Sequence, residues 1–353
     1  MQYHQYLGLD KVLTSQQPMS EAQGRAAHDE MLFIITHQAY ELWFKQILHE
    51  LDSVLALFSQ ERIDEKDMGS IVLRLERITE IQKLLVDQIR VLETMTPLDF
   101  LEFRDLLYPA SGFQSFQFRL VEIKLGLRSS QRLTYNQASY DSQLLPDQAK
   151  SVQQAESELS LFEGVERWLS RTPFLRMDAF NFWDSYRQAV IKMYQQDRQK
   201  LKENSFLSPD EVNIRSQQID RAEESFQVLF NEEAFERARE QGHWRLSHRA
   251  LQGALLIQLY RNQPILQLPF RLITALVDMD ELFTTWRYRH ALMAKRMLGS
   301  KVGTGGSSGF HYLLEASEKH KVFSDFFQLT TFFIPRSALP NLPREAELQL
   351  GFF

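Results

Sequence analysis

The chain has 353 residues, of which 40 are Lys or Arg and 46 are Asp or Glu, so its formal net charge at pH 7 is −6. This mild acidity argues against a protein that binds nucleic acid or anionic lipid mainly through positive charge. Cysteine is absent, which excludes disulfides, thiolate-bound metals, iron–sulfur clusters and cysteine nucleophiles.

The N-terminal residues lack the basic region followed by an apolar region that is typical of a signal peptide. Apolar runs such as the one around Phe33 are interrupted well before the roughly 18 residues that a membrane span requires. We therefore expect a soluble, cytoplasmic protein.

The spacing of apolar residues predicts helices along most of the chain. Within residues 29–58, Phe33, His37, Tyr40 and Phe44 recur at intervals of three and four, which is typical of an amphipathic helix. A second helix is predicted over residues 65–92, before the break at Pro97. Further helices are predicted at residues 97–107, 113–127, 148–170, 177–202, 209–239, 247–260, 269–298 and 319–333.

Alternating runs suited to strands are nearly absent, so the predicted fold class is all-α, with residues 1–353 forming one helical domain. Residues 198–242 are rich in charge and sparse in Phe and Leu. We interpret them as a charged helical arm inserted in that domain. The alternative is a solvated helix pair with no special role.

Glycine is concentrated at residues 299–309, GSKVGTGGSSG, which hold five of the 14 glycines. Each glycine disfavours helix by about 1 kcal/mol relative to alanine, so we expect a loop here. Its backbone N–H groups and the Thr304 hydroxyl could bind an anion. The Gly-x-Ser-x-Gly match within it follows a helix, whereas a nucleophile elbow requires a preceding strand.

Three pairs of residues combine an aromatic ring with a polar group four positions later. Residues four apart lie one above the other on a helix face, so each pair would form a wall for a flat, partly polar ligand. The pairs are Phe33/His37, Phe100/Arg104 and Trp286/His290.

Each polar member of these pairs also has a structural interpretation. Without cysteine, the usual axial ligands of a haem reduce to His, Met or Tyr, which makes His290 a candidate iron ligand. His290 and His37 could equally be structural residues with satisfied hydrogen bonds. Arg104 could simply pair with Glu102 or Asp105.

Long stretches of the sequence resemble the tryptophan 2,3-dioxygenase family. They are HDEMLFIITHQAYELWFKQILHELDSV, LDFLEFRDLLYPASGFQSFQFRLVE and WRYRHALMAKRMLGSKVGTGGSSGFHYL, and YHQYLGLDKVL and WRLSHRALQGALLIQLYR resemble the family too. The resemblance implies an all-helical homotetramer with one haem b per subunit. It also implies insertion of both atoms of O2 across the indole C2–C3 bond of L-tryptophan. The product would be N-formyl-L-kynurenine, and the reaction the first step of tryptophan degradation by the kynurenine pathway.

The resemblance also implies a role for individual residues. His290 would be the proximal ligand of the haem iron, and Arg104 would clamp the substrate carboxylate. Thr304 would bond the substrate's ammonium or carboxylate group. His37 would face the indole N–H, either as a catalytic base or as a positioning group.

The same resemblance implies three groups of lining residues. The indole pocket would be formed by Phe33, Ile34, Ile35, Thr36, His37 and Phe100. The haem would be bordered by Trp286, Ala110, Ser111 and Gly112. The N-terminal segment, residues 1–20, would reach the pocket of a neighbouring subunit. The side chains that would enter this pocket are Tyr3, Tyr6 and Leu7.

Three other functions are compatible with parts of this pattern. A haem-binding sensor or carrier would keep His290 but has no need of a carboxylate clamp such as Arg104. A related haem enzyme could act on a modified indole, although the pocket residues follow the tryptophan pattern. A purely structural helical scaffold would have no use for the glycine loop.

Overall fold

The protein is described here by a computed structural model covering residues 1–61, 63–133, 144–177, 180–299, 301 and 309–351. Helices dominate the N-terminal half of the described chain. They are α1 (Tyr3–Leu7), α2 (Leu9–Val12), α3 (Met19–Ala22), α4 (His28–Phe58), α5 (Glu65–Leu92), α6 (Pro97–Leu101), α7 (Phe116–Leu125), α8 (Pro146–Ser157) and α9 (Leu161–Leu169).

The second half begins with two strands of two residues each, which pair in antiparallel register. These strands and the remaining helices are β1 (Arg176–Met177), β2 (Phe180–Asn181), α10 (Phe182–Glu203), α11 (Pro209–Phe230), α12 (Glu232–Glu240), α13 (His248–Leu259), α14 (Gln267–Leu298), α15 (Gly309–Lys319), α16 (Ser324–Gln328) and α17 (Arg344–Leu350). The predicted all-α fold class is confirmed.

Predicted and observed helix bounds agree best for the long helices. Helix α5 has the predicted bounds, and α4 begins one residue early. The predicted helix at 209–239 is instead divided at Asn231, whose side chain accepts the Ala234 N–H and caps α12. The predicted helices at 148–170 and 319–333 are likewise divided, the first into α8 and α9. Apolar periodicity continues across such breaks, so it does not reveal them.

The chain divides into two compact units. Unit 1 comprises Met1–Leu57, Leu73–Leu161 and Asp278–Val322. Its core is built from apolar side chains that repeat at helical spacing on α4, α5 and α14. Fully buried examples are Ile47, Leu51, Val54, Leu75, Ile78 and Met279.

Side-chain hydrogen bonds to backbone carbonyls join the helices of unit 1. Gln82 on α5 donates to the Met279 carbonyl of α14 at 3.1 Å. The Tyr40 hydroxyl of α4 donates to the Leu85 carbonyl of α5 at 2.7 Å. Buried polar groups carry a desolvation cost unless they are paired, so these bonds fix the relative positions of the three helices.

A buried ionic cluster in unit 1 adds a further constraint on α14. The Glu122 carboxylate accepts hydrogen bonds from Arg119 at 2.7 Å and from Arg287 at 2.8 Å. Burial raises the pKa of Glu122, but the two guanidinium groups and His320 outweigh it and hold that pKa well below its usual range. Because Arg287 also donates to the His320 carbonyl, the cluster fixes α14 against α7 and the residue after α15.

Unit 2 comprises Phe58–Val72, Phe162–Val277 and Phe323–Phe353. Aromatic residues form much of its core, and the Tyr186 hydroxyl donates to the Phe332 carbonyl. Gly253 of α13 allows a close approach to the end of α9, because a Cβ there would lie 2.6 Å from the Leu169 carbonyl oxygen. The prediction of a single domain over residues 1–353 stays a prediction.

The charged segment 198–242 consists of the end of α10 with α11 and α12. Arg198 forms ion pairs with Asp220 and Glu223, which link α10 to α11. Phe206, between the two helices, is almost fully exposed, whereas Phe226 of α11 is buried. The segment is therefore solvated at one end and part of the core of unit 2 at the other.

None of the helices among the described residues is long and apolar enough to cross a membrane.

Candidate active site

Helix α4 presents Phe33 and His37 on one face. Their ring centroids are 4.1 Å apart, as expected for residues one helical turn apart. His37 Nδ1 lies 2.7 Å from the Phe33 carbonyl oxygen. Because a carbonyl only accepts hydrogen bonds, Nδ1 carries the proton and Nε2 carries the lone pair.

The environment of His37 keeps its imidazole neutral at pH 7. His37 is exposed, yet enough protein surrounds its ring that partial burial lowers its pKa below the ordinary value. The Phe33 carbonyl and the Glu41 carboxylate partly oppose this effect. A neutral His37 can therefore accept a hydrogen bond through Nε2.

Helix α14 presents a second aromatic–imidazole pair. The centroids of Trp286 and His290 are 5.7 Å apart. Burial, and after it the nearby His37, lowers the pKa of His290 to about 4. The two imidazoles belong to α4 and α14, whose Phe33 and Trp286 pack against one apolar cluster.

His290 has one unusual feature besides its neutral charge. Its Nδ1 is buried and forms no hydrogen bond with any of the residues that the structure describes. Buried polar atoms without a partner are rare and indicate strain, a functional role or a missing ligand. The neutral imidazole of His290 is thus available as a ligand for a metal.

Aromatic side chains from three elements line the region around these imidazoles. Phe33 of α4 lies 6.0 Å from Phe100 of α6 and 5.6 Å from Phe103, measured between ring centroids. Phe33, Phe100 and Trp286 all pack against one apolar cluster that includes the buried Met293. The structure therefore brings together the aromatic members of all three predicted pairs.

The segment that holds Arg104 differs from its prediction. Helix α6 ends at Leu101, and Arg104 begins a separate 3-10 turn, Arg104–Leu107, so one continuous helix over 97–107 is wrong. The backbone at Phe103 leaves the helical conformation, with φ −127° and ψ −3°. Arg104 is half-buried. Its neighbour Asp105 pairs with Arg25 at 2.5 Å.

The predicted haem border, Ala110–Gly112, lies in the turn before α7. Ala110 and Gly112 are exposed and Ser111 is half-buried. The Ser111 N–H donates to the Gln114 side chain at 3.2 Å, and Ser115 caps α7 by accepting the Phe118 N–H. A role of this turn in binding haem stays a prediction.

The remaining predicted site residues have different environments. On α4, Thr36 is buried, Ile34 is half-buried and Ile35 is exposed. The side chains of residues 33–37 therefore lie on different faces of the helix. Their roles stay predictions. Tyr3, Tyr6 and Leu7 lie on α1 with exposed fractions of 76%, 75% and 42%. Thr304 and the glycines around it lie outside the described residues.

Three residues near the site were not predicted from the sequence as functional candidates: Tyr40, Glu41 and Phe103. Tyr40 and Phe103 belong to periodic apolar runs, and this spacing predicts only that they are core residues. Glu41 is one of many helical glutamates.

No group of three or more His, Asp or Glu side chains in the described part of the chain could hold a metal ion.

Comparison with known proteins gives one consistent family. The family model described as tryptophan 2,3-dioxygenase matches residues 1–333. Tryptophan 2,3-dioxygenase of Bdellovibrio bacteriovorus is 56% identical, and the match covers 99% of this chain and 98% of that protein. The Alteromonas mediterranea tryptophan 2,3-dioxygenase is 48% identical, over 99% and 97% of the two chains. Tryptophan 2,3-dioxygenase B of Danio rerio is 48% identical, over 96% and 84%. The chain therefore belongs to the tryptophan 2,3-dioxygenase family.

Proposed function

We propose that this protein inserts both atoms of O2 across the indole C2–C3 bond of L-tryptophan, giving N-formyl-L-kynurenine. This is the first step of tryptophan degradation by the kynurenine pathway. The observation that carries the proposal is the pair of neighbouring neutral imidazoles, His37 and His290, beside a cluster of aromatic rings. The family membership of the chain supports the same reaction.

The cofactor in this proposal is haem b, one per subunit, and His290 would hold its iron. The residues fit such a group, because His290 is neutral, its Nδ1 has no partner among the described residues, and Trp286 provides an apolar neighbour. Bound haem supplies the redox chemistry with O2 that no side chain of this protein can supply. Ala110, Ser111 and Gly112 would border the group.

The protein's own contribution is to bind and orient tryptophan. Phe33 and Phe100 form aromatic walls for the indole ring, with Ile34, Ile35 and Thr36 on the same segment. Arg104 offers two parallel N–H donors to the substrate carboxylate, a geometry that lysine cannot supply. Thr304 binds the ammonium or carboxylate group.

His37 faces the indole N–H in this arrangement. Its Nδ1–H is held by the Phe33 carbonyl, so Nε2 accepts the indole proton as a hydrogen bond. The lowered pKa of His37 makes it a weak base, and a weak base is a poor acceptor for complete transfer of an indole proton. Of the two roles that the sequence left open, we propose that His37 is a positioning group.

We expect His37→Ser to lower kcat/KM for L-tryptophan by roughly tenfold, the effect of losing one neutral hydrogen bond. In the unaltered enzyme, kcat/KM should fall as the pH drops through the lowered pKa of His37, because the imidazolium has no lone pair to accept the N–H. The variant should lack this acid limb below pH 6.5, in a pH–rate profile at constant haem content. A loss of several orders of magnitude would instead establish proton transfer by His37.

The assembly in this proposal is a homotetramer in the cytoplasm. The exposed rings of Tyr3 and Tyr6, together with Leu7, support it, since large apolar side chains at this exposure are expected at subunit contacts. In the tetramer these three residues reach the pocket of a neighbouring subunit.

The direct test is turnover by purified protein that has been supplied with haem and reduced. After addition of L-tryptophan and air, the near-ultraviolet absorbance of N-formyl-L-kynurenine should rise. A Soret band without product would favour a haem-binding sensor or carrier. A protein that never acquires a Soret band would contradict both the enzyme and the carrier.

A further inference from the structure

Glu41 joins the His37 face of α4 to the turn before α7. It lies one helical turn after His37, on the same side of the helix. Its carboxylate accepts a hydrogen bond from the Ser115 hydroxyl at 2.6 Å and another from Gln117 Nε2 at 2.8 Å. Gln117 also donates to the Glu41 backbone carbonyl at 2.9 Å.

The partners of Glu41 connect it to the Ala110–Gly112 turn through a continuous set of hydrogen bonds. The Ser115 N–H donates to the Gly112 carbonyl at 3.1 Å, and the Gln114 N–H donates to the Ser111 carbonyl at 2.9 Å. Ser115 also accepts the Phe118 N–H, which fixes its side chain at the start of α7. Movement of Glu41 would therefore displace both the turn and the beginning of α7.

Two features require a carboxylate at this position. A carboxylate has two acceptor oxygens, one for each of Ser115 and Gln117, whereas a glutamine side chain has one. Hydrogen bonds to a charged acceptor are also roughly twice as strong as those between neutral groups. Apart from these two features, the charge of Glu41 partly offsets the lowering of the His37 pKa by burial.

We infer that Glu41 is a positioning residue for the indole N–H: it holds the Ala110–Gly112 turn at a fixed distance from the His37 face of α4. The proposal deepens the function proposed above and rests on it. Through this bridge, Glu41 sets the width of the pocket at the point where His37 meets the indole nitrogen. A residue of this kind favours a substrate with an N–H over an isosteric ring without one.

The experiment compares two ligands and two matched variants of the full-length, haem-loaded protein. The ligands are L-tryptophan and its benzothiophene analogue, in which sulfur replaces the indole N–H. The variants are Glu41→Gln and Glu50→Gln. Glu50 also lies on α4 and accepts hydrogen bonds from Gln46 and Arg77, both at 2.8 Å, but it is more than three turns from His37.

We expect Glu41→Gln to weaken binding of L-tryptophan about tenfold and binding of the analogue less than threefold. Glu50→Gln should change neither affinity by more than twofold. Affinities are measured by equilibrium dialysis, and thermal denaturation of each variant checks that the fold is retained. Equal weakening of both ligands by Glu41→Gln would overturn the proposal, because it would show a general loss of pocket structure.

Ser115→Ala provides a second route if Glu41→Gln does not fold. It removes one donor to Glu41 and the cap of α7 while leaving the charge of Glu41 in place. The selective loss for L-tryptophan should therefore reappear at about threefold, whereas loss of the cap alone would weaken both ligands alike. An unchanged preference between the ligands in this variant would overturn the proposal. Failure of the proposed function itself looks different, since the unaltered protein would then neither bind nor convert L-tryptophan.

Discussion

Replacing His290 with leucine is expected to abolish stable haem binding and, with it, all dioxygenase turnover. His290 is the residue proposed to hold the haem iron, because its imidazole is neutral and its buried Nδ1 has no partner among the described residues. Haem content is measured as Soret absorbance per protein after addition of excess haem. We expect it to fall at least twentyfold, about the effect of losing roughly 2 kcal/mol or more of ligand binding.

The His290→Leu variant should still fold, which separates a lost ligand from a lost structure. His290 Nδ1 is buried without a partner among the described residues, and replacing such an atom with an apolar group of similar size is nearly neutral or stabilising. Far-ultraviolet circular dichroism and the melting temperature of the haem-free protein should therefore match those of the unaltered protein. His37→Ser is the control, and we expect it to keep its haem.

A second variant tests the same ligand by chemical rescue. His290→Gly leaves a space where the imidazole stood, and added free imidazole should restore the Soret band. A His290→Leu protein that binds haem with an unchanged spectrum, or a His290→Gly protein that binds it without imidazole, would contradict the role of His290.

The sequence predicted those parts of the site that depend on a single helix. Phe33 and His37 are four residues apart on α4, and Trp286 and His290 are four apart on α14. In both cases the rings are neighbours in the structure, with centroids 4.1 Å and 5.7 Å apart. Helical geometry alone fixes such contacts, so a correct helix prediction is sufficient for them.

The pair Phe100 and Arg104 shows where this reasoning is insufficient. The same four-residue spacing predicts a shared helix face, yet α6 ends at Leu101 and Arg104 starts a 3-10 turn. Leu106 and Leu107, which follow, continue the helical pattern because both are partly buried against the same apolar cluster as Phe100. Periodicity reports burial, and it does not report whether the backbone between buried residues is continuous.

The site residues that could not be predicted from the sequence depend on tertiary contacts. Glu41 acquires its importance from Ser115 and Gln117, which lie more than 70 residues further along the chain. Phe103 is fully buried and meets Phe33 edge-on at 5.6 Å. No local spacing indicates either contact, because the partners come together only when α4 packs against the segment between α6 and α7.

Replacing Arg104 with alanine is expected to raise the KM for L-tryptophan roughly 30- to 150-fold while the haem content stays normal. The proposed clamp is a bidentate, charge-assisted hydrogen bond, whose loss costs on the order of 2–3 kcal/mol of binding. Arg104→Lys should recover only part of this loss, because an ammonium group cannot match both carboxylate oxygens. Steady-state kinetics and the Soret absorbance per protein give the two readouts.

Tryptamine, which lacks the carboxylate, identifies the group that Arg104 binds. If the guanidinium contacts the carboxylate, Arg104→Ala should weaken binding of L-tryptophan strongly and binding of tryptamine less than threefold. Arg90→Ala is the matched control, since Arg90 is an exposed arginine of α5 that pairs with Asp87 at 3.7 Å, and both affinities should be unchanged in it. A variant that loses haem, or that loses affinity for both ligands equally, would show that Arg104 supports the pocket and does not bind the carboxylate.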